Sequence, residues 1–291
     1  MPEFNVVARD LAFPEGPVVM NDGSVIVVEV GAGLITRCWT GRKETVAKPG
    51  GGPNGAAIGP DGALYVCNNG GMTRQDVPAA DRGGRIERID LVTGRVDRLY
   101  MRGDDYCLSA PNDLMFDRDG NIWFTDFGTL EPDGKRYGGL YRARSDGSEI
   151  VRVVADAISY NGVGLSPDGS RVYAADTFQA RIYEFAARPE PQVPRLLATV
   201  PGHVALDSLA MTAGGNICVA TIGQTTGPGG AITTVAPDGA IVGAVPTDDQ
   251  YTTNIAFGGQ DMREAYITLS GKGQLIHRRW DEAGLRLPFN A

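Results

Sequence analysis

Long apolar runs are missing from this 291-residue chain. None approaches the ~18 residues that a membrane-spanning helix requires, so no span is expected. A basic surplus is missing too: 27 Lys and Arg stand against 35 Asp and Glu, a net charge of −8. An acidic chain without a basic tract lacks the footprint that nucleic acid or an anionic membrane surface demands. Neither is expected as a partner. The opening Met1-Pro2-Glu3-Phe4-Asn5 carries no charged region followed by an apolar one, so no signal peptide is expected. The four cysteines, Cys38, Cys67, Cys107 and Cys218, lie far apart and form no C-x-x-C pair. They read as reduced core thiols of a cytoplasmic protein, not as a disulfide framework or a zinc site. Only two histidines occur, His203 and His277, and there is no G-x-S-x-G elbow. Both facts argue against a Ser-His-Asp hydrolase.

What the chain does have is turn-forming residues, with 40 Gly and 18 Pro. That content suits many short strands better than long helices. A unit recurs: a polar residue, a short apolar strand, a tight turn and a second apolar strand. Its leading residues are Glu15, Asn54, Asn112, Asn161, Asp207 and Asn254, at spacings of 39, 58, 49, 46 and 47. The turns include Asp22-Gly23, Asp61-Gly62, Asp119-Gly120, Asp168-Gly169 and Gly214-Gly215. Asp-Gly between apolar runs is a strong hairpin signal, because both residues tolerate positive φ. The second half of several units repeats the pattern, as in Arg85–Ile89 and Arg95–Leu99 across Thr93-Gly94. A period of ~40–50 residues with four strands per unit is propeller spacing. The expected fold is therefore all-β, a six-bladed β-propeller over residues 1–291 as one domain. The lone strand within residues 4–13 is expected to complete the last blade and close the ring, and the last unit to end near Pro288. Insertions around 70–84 and 102–111 read as surface loops. Asp117–Asn121 reads as a hairpin turn and not as a calcium loop.

In a propeller the first strand of every blade lines the central channel. The six leading residues should then converge on the axis, as two carboxylates and four carboxamides. Any one of these Asn residues alone reads as a turn former; six equivalent oxygen-bearing positions read as a site. Such a ring suits one hard divalent cation, Ca²⁺ first, with Mg²⁺ or Mn²⁺ accepting the same set. No His is among the six, which disfavours a His-rich zinc site, though zinc held by oxygen alone stays open.

Several pieces together resemble the senescence-marker-protein / gluconolactonase / luciferin-regenerating family: Glu15-Gly16-Pro17, Pro111-Asn112-Asp113, Asn161-Gly162 with Ser166-Pro167-Asp168-Gly169, Asp207 with Ala213-Gly214-Gly215-Asn216, and Phe257-Gly258-Gly259. The resemblance implies a six-bladed propeller with one axial divalent ion, and in many members lactonase activity. It implies Glu15, Asn161 and Asp207 as metal ligands and Asn112 beside the ion, holding substrate or water. Asn54 matches a ligand position of more distant relatives of the paraoxonase type. Asn54 and Asn254 are expected to contact substrate. Sugar-lactonase members often carry an Arg two residues before the equivalent of Asn112; here that residue is Ala110.

The expected activity is hydrolysis of a small lactone or related ester, with the ion as Lewis acid and Asp207 as general base. Ala110 shifts the expectation toward a less hydroxylated ring, which Phe127, Tyr137 and Tyr106 would favour, unless Arg74 or Arg102 replaces the missing guanidinium. His203 could reach the pocket mouth. Asp126 and Asp176 read as capping groups at the ends of inner strands. The rival readings are a phosphotriester or aryl-ester hydrolase on the same scaffold, and a non-catalytic ligand-binding propeller with a structural metal.

Overall fold

The hairpin signals shape the computed structural model, which describes residues 4–289 apart from 73–75, 104, 132–133, 225–226 and 228. At Asp61-Gly62 and Asp119-Gly120 the glycines take φ of +75° and +80°, which a side chain would oppose. The Asp side chains help close such turns. Asp117 accepts from the backbone N–H of Asp119 and Asn121 at 3.0 and 2.9 Å, so Asp117–Asn121 is the expected hairpin turn.

These turns join antiparallel strands into six four-stranded sheets. The innermost strands are Pro14–Val19, Pro53–Ile58, Pro111–Phe116, Tyr160–Leu165, Val204–Met211 and Thr252–Gly258. Each leads its blade, and each touches the innermost strand on either side, the last meeting the first. The fold is thus a closed six-bladed β-propeller. Asn5–Ala8 pairs with Gln274–Arg279 as the outermost strand of blade six. The ring therefore closes as the lone leading strand predicts.

The apolar core lies between blades. Trp123, Leu140, Val154, Tyr160 and Phe185 fill the space between blades three and four, while Val18, Ile26, Ile58, Leu64 and Val66 fill that between one and two. Such packing fixes neighbouring blades face to face.

Three differences from the sequence reading stand out. Blade six ends at Arg279, and the chain then crosses one end of the channel. There Leu285 N–H donates to Met211 O at 2.8 Å and Gly284 N–H to Met262 O at 2.7 Å. Cys107 is exposed, in the loop after blade two, whereas Cys38, Cys67 and Cys218 are buried; all four are free thiols. Asp126 and Asp176 end the second strands of their blades, not the inner ones. No helix among the described residues is long and apolar enough to cross a membrane.

Candidate functional site

A plain strand alternates its side chains between two faces. The innermost strands break that rule near the residue expected to face the axis. Pro111 pairs with Asp126 and Leu114 with Phe124, so Asn112 and Asp113 both stand opposite Thr125. The same two-against-one step places Asn54-Gly55, Asn161-Gly162 and Asp207-Ser208 opposite single residues. Register also slips just after Glu15 and just before Asn254. Bulges re-aim side chains, and here six of them lie at one end of the ring.

Glycine lets the bulges interlock. A Cβ on Gly16 would lie 2.4 Å from Asn54 O, and one on Gly162 would lie 2.8 Å from Asp207 O. Each would have to displace the backbone of the next blade. Behind the site, the Thr125 hydroxyl donates to Asn161 O and accepts from Asp113 N–H at 3.2 Å, tying blade three to blade four.

Glu15, Asn112, Asp113, Asn161 and Asn254 are buried; Asn54 and Asp207 are half-buried. Asp207 sits at the bulge of the innermost strand of blade five, and burial is still the main influence on its carboxyl. Glu15 Oε2 accepts from Asn254 Nδ2 at 2.8 Å and from Gly16 N–H at 3.0 Å. Asn254 Oδ1 in turn accepts from Ile255 N–H at 2.8 Å. Both ends of the Asn254 amide are thus engaged, and it holds Glu15 in place. Asn161 Nδ2 donates to Thr177 Oγ1 at 3.1 Å. The Asn161 and Asn112 Oδ1 atoms are buried and accept no hydrogen bond, although a buried unpaired polar atom costs about 1–3 kcal/mol.

Charge adds a second imbalance. Burial raises the pKa of Glu15, and hydrogen bonds from Asn254, Thr253 and Gly16 only partly offset it. Burial, then the negative charge of Glu15, raises Asp207 well above the usual carboxylate range. The same two causes push Asp113 up to about 7. Among the described residues, no Lys or Arg is a main influence on any of the three. Nor do three His, Cys, Asp or Glu side chains converge closely enough to hold an ion by themselves. What the site offers is a mixed set, carboxylates and carboxamide oxygens together. A hard cation would answer both imbalances at once, since it takes oxygen donors of these kinds.

The remaining expected residues sort themselves by place. Ala110, 1% exposed, lies just before the innermost strand of blade three, two residues ahead of Asn112. Its N–H is held by Asp126 Oδ1 at 2.8 Å, and its carbonyl accepts from Phe127 N–H at 2.9 Å. Asp126 also accepts from Ser109 and Gly128 N–H, so it caps this corner. Asp176 accepts from the Ser159 hydroxyl and from Gln179 N–H. Phe127 sits at the mouth, T-shaped against Phe178 with ring centroids 5.5 Å apart. Tyr106 instead turns toward Tyr141, 5.6 Å away, with the Arg152 guanidinium 4.5 Å from its centroid. Tyr106 and Tyr137 line a groove on the outer flank of blades three and four, not the channel. Arg102 Nε donates within its own loop, to Gly103 O. Arg74 lies outside the described residues. His203 is exposed at the entry to the inner strand of blade five, while His277, on an outer strand, bonds Glu264 at 2.5 Å. Asp113 was missed by sequence reasoning; the adjacent Asn112-Asp113 pair was its only trace.

With this geometry, residues 13–271 match the model of the SMP-30/gluconolactonase/LRE-like region. The chain belongs to that family. Within it, a gluconolactonase of Zymomonas mobilis is 27% identical over 281 residues, 87% of this chain and 75% of the relative. The structure of a gluconolactonase from Xanthomonas campestris superposes with a TM-score of 0.75 at 25% identity, covering 94% of this chain and 88% of that one. Regucalcin of Agrobacterium tumefaciens, described as a calcium-binding protein, shares the fold with a TM-score of 0.76 at 19% identity, over 99% and 98% of the two chains.

Proposed function

We propose that this protein, with residues 1–291 acting as one domain, hydrolyses a small lactone or related ester at the bulged end of its channel, with one divalent cation bound there. What supports this reading most is the pair of buried carboxamide oxygens, Asn112 Oδ1 and Asn161 Oδ1, without hydrogen-bond partners among the described residues, beside carboxylates on which no described Lys or Arg is a main influence. Membership of a family whose named members include gluconolactonases adds to it.

Glu15, Asn161 and Asp207 would hold the cation, and Ca²⁺ suits their oxygens best, with Mg²⁺, Mn²⁺ and Zn²⁺ as candidates. Bound there, a divalent ion supplies Lewis-acid polarisation of the substrate carbonyl. The chain's own residues do the rest. Asn254 keeps Glu15 in place through its 2.8 Å bond. Asn112 and Asn54 orient the lactone and the attacking water from neighbouring bulges. The Asp207 carboxylate takes a proton from that water as its oxygen bonds to the carbonyl carbon. The ring C–O bond then breaks, the proton passes to the leaving ring oxygen, and a hydroxy acid results.

Initial rates on γ-butyrolactone, dihydrocoumarin and gluconolactone test the proposal, with spontaneous hydrolysis subtracted. Measurements use chelator-treated protein and then added Ca²⁺, Mg²⁺, Mn²⁺ or Zn²⁺. Turnover that returns with an ion supports the enzyme. Ion binding by calorimetry without turnover of any lactone would favour the binding-module reading instead.

A further inference from the structure

Large exposed apolar side chains gather at the end of the ring where the bulges lie. Phe13 enters the inner strand of blade one and Tyr251 that of blade six, and each carbonyl accepts a backbone N–H from the exit of its blade's second strand, Val30 and Ser270 respectively. Their rings pair, with centroids 6.4 Å apart. Phe127 and Phe178 leave the second strands of blades three and four and pair at 5.5 Å. In a six-bladed ring the boundary between blades six and one faces the boundary between three and four. Two aromatic pairs therefore flank the channel mouth from opposite sides. They are not core: Phe13, Tyr251 and Phe178 are 41%, 45% and 61% exposed. Phe13 also holds a left-handed backbone, φ 57°, a conformation disfavoured for a bulky residue. Little burial compensates for that strain.

Below this rim the channel turns polar and anionic at Glu15, Asp207 and Asp113. Ala110 is buried and its backbone N–H and carbonyl are already engaged, so it offers a ligand no polar group. A ligand that suits both levels is polar at one end and apolar at the other. Most small-molecule sites have this composition, apolar walls with few polar groups. We propose that the preferred substrate is a lactone carrying an alkyl or aryl substituent, with its ester group in the channel and its substituent laid against these aromatic pairs. This inference rests on the lactonase reading above.

Two γ-lactones with the same ring isolate the substituent: γ-butyrolactone, which has none, and γ-decanolactone, which bears a hexyl chain. The wild-type protein, loaded with the ion that activates it, should show a kcat/KM at least about tenfold higher on γ-decanolactone. Phe178→Ser and Tyr251→Ser are exposed substitutions away from the reacting groups and should leave the fold intact. Each should raise KM for γ-decanolactone several-fold with kcat little changed, because the contact is equal in ground and transition states. Rates on γ-butyrolactone should not move. Equal kcat/KM on the two lactones, or a preference that survives both substitutions, overturns the rim assignment while the lactonase reading stands. Failure to turn over either lactone with any ion overturns both. Self-association of the wild type by sedimentation, abolished by Phe178→Ser, would assign the rim to an interface between copies and overturn the proposal.

Discussion

The two ends of the central channel are built from the same six strands, yet they follow opposite rules. At the bulged end, carboxylates and carboxamides are buried, and two amide oxygens lack partners. At the other end the channel narrows to a cavity of about 80 Å³, walled largely by Val18, Leu114, Val163, Leu209 and Ile255 and floored by Leu285 and Leu287 of the crossing tail. The lower end obeys ordinary packing; the upper end leaves buried polar atoms short of protein partners among the described residues, which carries a free-energy cost. The bulge is the boundary between the two regimes within each strand.

If that division is right, damage to the two ends should differ in kind. The largest effect is expected above the bulge. Asp207→Asn should lower kcat by about 10²–10⁴-fold with the far-ultraviolet circular dichroism unchanged. Glu15→Gln should sharply weaken cation binding in calorimetry, since it removes charge and nearly keeps shape. Full activity in Asp207→Asn would break the comparison at its upper half. Next, Trp280 begins the crossing tail and packs edge-on against Phe257 at 6.0 Å. Trp280→Ala should cost about 3–5 kcal/mol of stability in urea titration, with kcat per folded molecule retained. A selective loss of kcat would mean that the ends are not separable.

The third expectation concerns pH. Asp113, Glu15 and Asp207 all have raised pKa values in the fold. The folded, metal-free protein therefore binds more protons than the unfolded chain from about pH 4 upward, to about 7 for Asp113. Stability should fall as pH rises through that window, by on the order of a few kcal/mol. Ca²⁺ should restore it at pH 7 and do little at pH 4, where protons already neutralise the set. Thermal melts at the two pH values, with and without Ca²⁺, would show this. A metal-free Tm that climbs from pH 4 to 7 would contradict it. The smallest effect separates substrates: with Ala110 in place of a guanidinium, dihydrocoumarin should exceed gluconolactone in kcat/KM about tenfold or less. A clear preference for gluconolactone would mean that another donor replaces the missing one.

Much of this was legible in the chain because the repeat is written twice, in Asp-Gly turns and in the polar residue that leads each unit. Glu15, Asn161 and Asp207 do lie at equivalent bulged starts. What could not be read is what a two-residue period hides. Strict alternation sends Asn112 and Asp113 to opposite faces, and only the bulge brings Asp113 to the channel. Asn254 looked like its neighbours, but a bond to Glu15, 239 residues away in sequence, decides its orientation. Of the aromatic rim only Phe127 could be named from the sequence, because its four residues come from four blades. Tyr106 was expected near the pocket because it is close in sequence to Asn112, and instead packs at a tilt against Tyr141 of blade three.

The seam between Asn5–Ala8 and Gln274–Arg279 sets the order in which the protein can be made. Residues 5–8 are made long before residues 274–279 and have no partner in blade six until those follow. Until then the leading strand is unpaired and available to other chains. The earlier blades need only nearby sequence and can form in turn, whereas the seam joins strands about 270 residues apart, the kind of contact that slows folding. Assembly should thus run blade by blade and finish in one late step that locks the circle.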